Sequence, residues 1–183
     1  MRIIGGKLKG RGIDLPAGYK ARPTTDFAKE GLFNILNNEY EFEGLQVLDL
    51  FGGSGSISFE FASRGASAVY CVEMAPANAS FIRSQAASLG LRNVTVVHHN
   101  VFDFLSLCHE KFDLVFADPP YALPELPELP QRVLESRLLS ARGLFVLEHG
   151  KDHRFDSHPC FVEHRAYGSV NFSFFRKTLD LQL

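Results

Sequence analysis

Residues 118–121 read Asp-Pro-Pro-Tyr and follow the apolar run Phe112 to Ala117. An ionised carboxylate only accepts hydrogen bonds. The two prolines hold φ at about −65° and have no N–H to compete for an acceptor. Tyr121 adds a flat face on which a ring can stack, worth ~1–3 kcal/mol per nucleobase in single-strand binders. Together these residues form a pair of fixed acceptors beside an aromatic shelf: the Asp118 side chain and a backbone carbonyl of Pro119-Pro120. An exocyclic amine on an aromatic base needs such help, because its lone pair is delocalised into the ring. Holding both N–H groups favours pyramidal nitrogen, and orientation and electrostatic alignment can supply most of the rate. As a bare turn after a buried strand, the same residues would carry no chemistry.

A second constellation lies upstream. Asp49-Leu50-Phe51-Gly52-Gly53-Ser54-Gly55 follows one apolar run, and Glu73 ends the next. The dinucleotide fingerprint fails at its third small position, which is Ser58, and no Gly-Lys-Ser/Thr marks a P-loop. Asp49 repels a diphosphate and attracts a cationic amino group. S-adenosylmethionine offers that group, a sulfonium and no phosphate. Glu73 stands where an acid can accept ribose hydroxyls.

These residues need a frame. From residue 45 the chain alternates strand and helix: strands over 45–51, 68–73, 94–98, 112–117 and 143–148, helices over 56–63, 76–89, 101–108 and 126–139. Continuous apolar strands alternating with helices predict a doubly wound, mainly parallel sheet. Two last strands, 161–167 and 170–178, form an antiparallel hairpin around Gly168-Ser169 and complete seven strands. A helix opens at Thr24-Thr25-Asp26, and residues 2–4 and 12–15 are expected as short strands before it. Ligands bind beyond the carboxyl ends of such strands, where Asp49, Glu73, Asn100 and Asp118 all stand. In LPELPELP, residues 123–130, Pro127 or Pro130 suits the first turn of a helix.

The 183 residues are 45% hydrophobic and 22% charged, an ordinary globular composition. Cys71, Cys108 and Cys160 form no CxxC pair, so neither a disulfide framework nor a zinc site is indicated, and Cys71 and Cys108 are expected in the core. No apolar run approaches a membrane span, Met1 to Gly6 does not read as a signal peptide, and a reducing, cytoplasmic setting is expected. The net charge of −2 hides an asymmetry: residues 1–30 hold seven basic and three acidic residues, the remainder twelve and eighteen. A basic arm on an acidic body suggests an anionic partner.

Val47 to Gly55 resembles motif I of class I S-adenosylmethionine-dependent methyltransferases. Asp118-Pro119-Pro120-Tyr121 resembles their (Asp/Asn)-Pro-Pro-(Tyr/Phe) motif IV. Met1-Arg2-Ile3-Ile4-Gly5-Gly6-Lys7, Arg22-Pro23-Thr24-Thr25-Asp26, Glu30 to Asn34 and Ser63-Arg64-Gly65-Ala66 resemble the RsmD-type methyltransferases of bacterial 16S rRNA. The resemblance implies methylation of a guanine N2 (guanine 966 type) on 16S rRNA or the 30S subunit. It implies S-adenosyl-L-methionine as cofactor, with contacts from Asp49, Phe51, Gly52, Gly53, Ser54, Gly55, Glu73, Met74, Asn100 and Val101. Asp118, Pro119, Pro120 and Tyr121 are the expected catalytic residues, and no metal is expected. Lys7, Lys9, Arg11, Lys20 and Arg22 are expected to grip RNA phosphates, Arg22 nearest the site. Residues 1–26 then form an RNA-contacting arm and 27–183 the methyltransferase domain, expected as a monomer because no spare apolar helix is evident. Asn100 replaces a frequent aspartate; its carbonyl is expected to accept from the adenine amino group. Gly53 stands where alanine is frequent and is expected to tolerate it.

Other readings stay open on the residues alone. The acceptor motif also suits adenine N6 or glutamine N5. A nicotinamide-dependent oxidoreductase and a non-catalytic RNA-binding assembly protein are the alternatives from other classes.

Overall fold

The computed structural model describes residues 1–21 and 23–178. Arg22, the arm residue expected nearest the site, lies outside them. The first helix, α1, spans Asp26–Glu39; Thr25 caps it by accepting the Ala28 N–H at 3.2 Å. Then follow β1 (Gln46–Asp49), α2 (Ser56–Ser63), β2 (Ala68–Glu73), α3 (Pro76–Ser88), β3 (Val94–His98), α4 (Val101–Leu107), β4 (Phe112–Ala117), α5 (Leu129–Glu135), β5 (Leu139–His149), β6 (Phe161–Tyr167) and β7 (Val170–Arg176).

One seven-stranded sheet has the order β3-β2-β1-β4-β5-β7-β6. β1 to β5 pair in parallel; β7 runs antiparallel to β5, and β6 to β7. The expected doubly wound sheet with its closing hairpin is therefore present. Alternate strand residues serve opposite faces. Val47, Leu114, Phe116, Val146, Phe172 and Phe174 pack under α1 to α3. Leu48, Val115, Ala117, Phe145, Leu147 and Phe175 pack on the other face with Phe104 of α4 and Val133 of α5. Each Val, Leu or Phe among them contributes ~1.5–3 kcal/mol by leaving water.

The largest departures from the sequence reading lie between β4 and β5 and in the arm. α5 ends at Glu135, and β5 begins at Leu139 with a register shift against β4 between Phe112 and Leu114. The largely exposed stretch Ser140, Ala141 and Arg142 hid that extension. Pro127 opens a 3-10 turn and Pro130 opens α5, so both prolines serve as helix starters. Among its described residues the arm holds a single antiparallel bridge, Arg2 to Gly12, in place of two strands. Cys71 is buried, whereas Cys108 is half-buried at the end of α4.

The arm is nonetheless docked. Ile3 and Ile13 belong to the buried core. The Ile4 N–H donates to Glu60 Oε2 at 3.1 Å, and Ser63 Oγ donates to the Gly5 carbonyl at 2.7 Å while accepting the Leu8 N–H at 2.9 Å. Gly6 has φ +75°, and a Cβ there would lie 2.0 Å from the Ser63 carbonyl oxygen, so glycine is required. Among the described residues, no helix is long and apolar enough to cross a membrane.

Candidate active site

The strand order reverses between β1 and β4, and a crevice opens beyond their carboxyl ends. A cavity of about 640 Å³ occupies it. Asp49, Phe51, Gly52, Gly53, Ser54, Glu73, Met74, Asn100, Val101, Asp118, Pro119, Pro120 and Tyr121 all line this cavity. Thus every residue assigned to cofactor or catalysis converges there except Gly55, which stands behind the wall as the N-cap of α2 with φ +81°. Lys7, Lys9, Arg11 and Lys20 do not line it. Lys7 and Lys20 stand at the arm surface with Lys9 and Arg11.

Asp49 is 1% exposed; its Oδ2 accepts from Ser58 Oγ at 2.7 Å, but Oδ1 is buried without a hydrogen-bond partner among the described residues. Burial pushes its carboxyl up to about 7, against the pull of the Ser58 hydroxyl. Such an orphaned acceptor calls for a donor, ideally a cation. Glu73 is oriented by two backbone donors: Gly53 N–H to Oε2 at 2.6 Å and Ala75 N–H to Oε1 at 2.8 Å. Each oxygen keeps a lone-pair position for a further donor. Between these acids the backbone comes close to β2: a Cβ on Gly52 would lie 2.5 Å from Cys71 Sγ. An adenosyl amino acid with a free ammonium and no phosphate fits these acceptors; a diphosphate would meet Asp49.

Two expectations for this part of the site are corrected. The Asn100 side-chain carbonyl caps α4, accepting the Phe102 and Asp103 N–H groups at 2.9 and 3.3 Å. Its amide nitrogen donates to Met74 Sδ at 3.7 Å, so Asn100 offers a donor there rather than an acceptor. Gly53 has φ +56°, where alanine is strained by ~1–2 kcal/mol, and a Cβ would lie 3.2 Å from the Tyr19 hydroxyl. The exchange is not harmless here.

At the other end, Asp118 follows β4. Burial raises its carboxyl well above the usual range, and the charges of Glu148 and Asp49 raise it further. No donor among the described residues pairs with it. The Pro120 carbonyl accepts the Leu123 N–H at 2.9 Å, which leaves the Pro119 carbonyl as the open backbone acceptor. The Tyr121 ring is exposed at the cavity edge, and its hydroxyl donates to Glu148 Oε1 at 3.1 Å. Glu148, buried at the end of β5, also accepts from Thr24 Oγ1 at 2.8 Å; burial lifts its carboxyl to about 7.

Tyr19 and Thr24 line the wall although the sequence reading did not assign them to the site, and Glu148, expected no further in than the pocket rim at the end of the fifth strand, is buried in that wall. Glu148 carries the signal that singled out Asp49 and Asp118, an acid at the end of a buried strand. Tyr19 ends a Pro-Ala-Gly-Tyr turn, with its N–H bonded to the Pro16 carbonyl at 3.1 Å. Its hydroxyl reaches the glycine loop, and burial raises the phenol. Thr24 has no local signal, because its partner lies 124 residues away. Among the described residues, no group of three or more His, Cys, Asp or Glu side chains is placed to hold a metal ion.

The family model described as "Conserved hypothetical protein 95" matches residues 1–176. The ribosomal RNA small subunit methyltransferase D of Escherichia coli (strain K12) is 34% identical over 148 residues, covering 81% of this chain and 74% of that protein. A putative rRNA methyltransferase of Bacillus subtilis (strain 168) is 33% identical over 156 residues, covering 83% and 84%. A solved structure of a hypothetical protein from Thermus thermophilus superimposes with a TM-score of 0.84 at 33% identity, covering 97% of this chain and 99% of that one. The chain belongs to the conserved hypothetical protein 95 family, the RsmD-type methyltransferases.

Proposed function

We propose that this protein transfers a methyl group from S-adenosylmethionine to the exocyclic N2 of a guanine in 16S rRNA, of the guanine 966 type, on the small ribosomal subunit. The observation that carries the reading is the convergence of two acceptor sets in one cavity. Asp49 and Glu73 suit an adenosyl amino acid, while Asp118, the Pro119 carbonyl and Tyr121 suit a flat base bearing an amine. The names of the Escherichia coli and Bacillus subtilis relatives favour rRNA as the polymer. Lys7, Lys9, Arg11 and Lys20, with Arg22, make residues 1–26 the part that grips RNA phosphates, leaving 27–183 as the catalytic domain.

S-adenosylmethionine supplies an electrophilic methyl group. Asp49 holds its ammonium, Glu73 its ribose hydroxyls, and Asn100 and Val101 flank the adenine. The target base leaves its stack and lies on Tyr121. Asp118 accepts one N2 hydrogen and the Pro119 carbonyl the other, which directs the nitrogen lone pair and raises its basicity. These acceptors are fixed by a strand end and two prolines before the base arrives, so little reorganisation accompanies the reaction. Asp118, with its raised carboxyl, is also placed to hold the released N2 proton.

Methyl-labelled cofactor incubated with unmodified small subunits, naked 16S rRNA and DNA tests the substrate class. Label is expected in the RNA; label in DNA alone overturns the assignment.

The cofactor end has its own pH signature. An ammonium binds ionised Asp49, whereas the free protein holds a proton there below about pH 7. Binding therefore releases a proton, and affinity is expected to weaken by up to about tenfold per pH unit as pH falls below 7. Titration calorimetry between pH 5 and 8, in buffers of different ionisation enthalpy, measures both. Asp49→Asn is expected to weaken binding and flatten this dependence. Wild-type affinity that stays level from pH 5 to 7 would contradict the role given to Asp49.

A further inference from the structure

Glu148 lies in the cavity wall with Asp118, 3% exposed, and no step above uses it. Its carboxylate is held from two sides: Tyr121 donates to Oε1 at 3.1 Å, and Thr24 donates to Oε2 at 2.8 Å. One hydroxyl per oxygen fixes the plane of the group and leaves each oxygen a further lone-pair position. Asp118, close enough for its charge to be felt, has no donor among the described residues. A buried carboxylate beside a half-buried one is costly unless a partner brings donors to both. The wall thus presents adjacent acceptors: Glu148, Asp118 and the Pro119 carbonyl.

Only one RNA base answers such a wall with adjacent donors on its Watson–Crick edge. Guanine carries N1–H next to N2–H₂. Adenine and cytosine place an acceptor beside their exocyclic amine, and uracil has no amine. Enzymes that take a base out of its stack read this edge by hydrogen bonds. We propose that Glu148 determines base specificity by accepting the guanine N1–H, while Asp118 and the Pro119 carbonyl hold the N2 hydrogens; this rests on the methyltransferase reading above. The same carboxylate rejects adenine, whose N1 lone pair would face it. Tyr121 then acts twice, with its ring as the stacking face and its hydroxyl as one clamp on Glu148. Thr24, just ahead of α1, is the other clamp and ties the arm's exit to base reading.

The test replaces the target guanine by 2-aminopurine, which keeps the N2 amine but turns N1 into an acceptor. Small subunits are reassembled from 16S rRNA carrying either base, and N2 methylation is measured as kcat/KM. Wild-type protein is expected to favour guanine by at least about 100-fold. Glu148→Gln, whose amide can donate to N1, is expected to lower that preference at least about tenfold while cofactor affinity stays within about twofold. A variant that slows both substrates equally, with the preference intact, overturns the proposal and leaves Glu148 as scaffold. Should the variant fail to fold, comparable wild-type rates on the two bases overturn it alone, and strong discrimination supports it. Wild-type label on adenine N6 sinks the guanine-N2 reading and this inference together. Label on guanine N2 with an unchanged preference in the variant sinks only the inference.

Discussion

Asp118→Ala is expected to lower the rate of methyl transfer at saturating substrates by ~10²–10⁴-fold while cofactor and RNA still bind. The reason is positional. Asp118 is the side-chain acceptor that follows β4, and no protein donor among the described residues competes for it. Removing it leaves one N2 hydrogen without a partner, so the lone pair is no longer directed. Cofactor affinity should hold, because Asp49 and Glu73, not Asp118, are the acids assigned to the cofactor. Asp118→Asn separates two roles for the same residue. Asparagine keeps a carbonyl acceptor but cannot take the proton. If orientation dominates, the Asn variant should exceed the Ala variant by at least about tenfold. Equal loss in both would make proton acceptance the main contribution. Single-turnover rates, with binding measured separately, give the answer, and an Asp118→Ala variant that methylates like wild type would remove the mechanism altogether.

The second large effect concerns stability. Lys29 is 1% exposed, and its Nζ lies 3.3 Å from Glu60 Oε2, donates to the Arg2 carbonyl at 2.7 Å and to Ser56 Oγ at 3.1 Å. Glu60, fully buried, also accepts from Arg64 Nε at 3.0 Å and from the Ile4 N–H. The Arg64 guanidinium in turn lies 4.5 Å over the Phe33 ring, whose own edge-to-face partner is Phe61 at 4.8 Å. Burial lowers the Lys29 pKa, and Glu60 opposes that shift. Lys29→Met removes the cation and strands part of a buried carboxylate, a change that typically costs ~3–5 kcal/mol. Urea unfolding should show that loss as a lower midpoint at unchanged slope. Lys29→Met/Glu60→Gln should recover part of it, because the stranded group is then neutral. A loss below about 1 kcal/mol in the single variant would mean that the knot is not the clamp it looks like. The knot also has a functional address: Ser56 is the first residue of α2, directly after the glycine loop. One buried cation thus ties the docked arm, α1 and the cofactor loop together.

Much of this frame could be read before the structure. β1, β2, β4 and the α2 and α3 helices announce themselves as apolar runs and apolar faces, and Asp49, Glu73 and Asp118 stand out as acids where buried strands stop. The places that escaped notice share a cause. The start of β5 at Leu139 lies in a polar stretch that pairs irregularly with β4, so no periodicity marks it. Asn100 has the composition of a pocket residue, but its carbonyl is committed to the first turn of α4, a local demand that a motif does not reveal. Glu148 and Thr24 gain meaning only from each other across the sheet. Tyr19 enters the cavity because the arm folds back over the loop, which its charge pattern alone does not require. Local chemistry writes the strands and the acids; long-range closure writes the second wall.

The most direct test of the account is nucleoside analysis. Unmodified small subunits are treated with the protein and methyl-labelled S-adenosylmethionine, and the digested 16S rRNA is resolved by mass spectrometry. Labelled N2-methylguanosine, lost in Asp118→Ala, is the predicted result. Label in N6-methyladenosine, or a cofactor that binds while no RNA nucleoside is labelled, would contradict it.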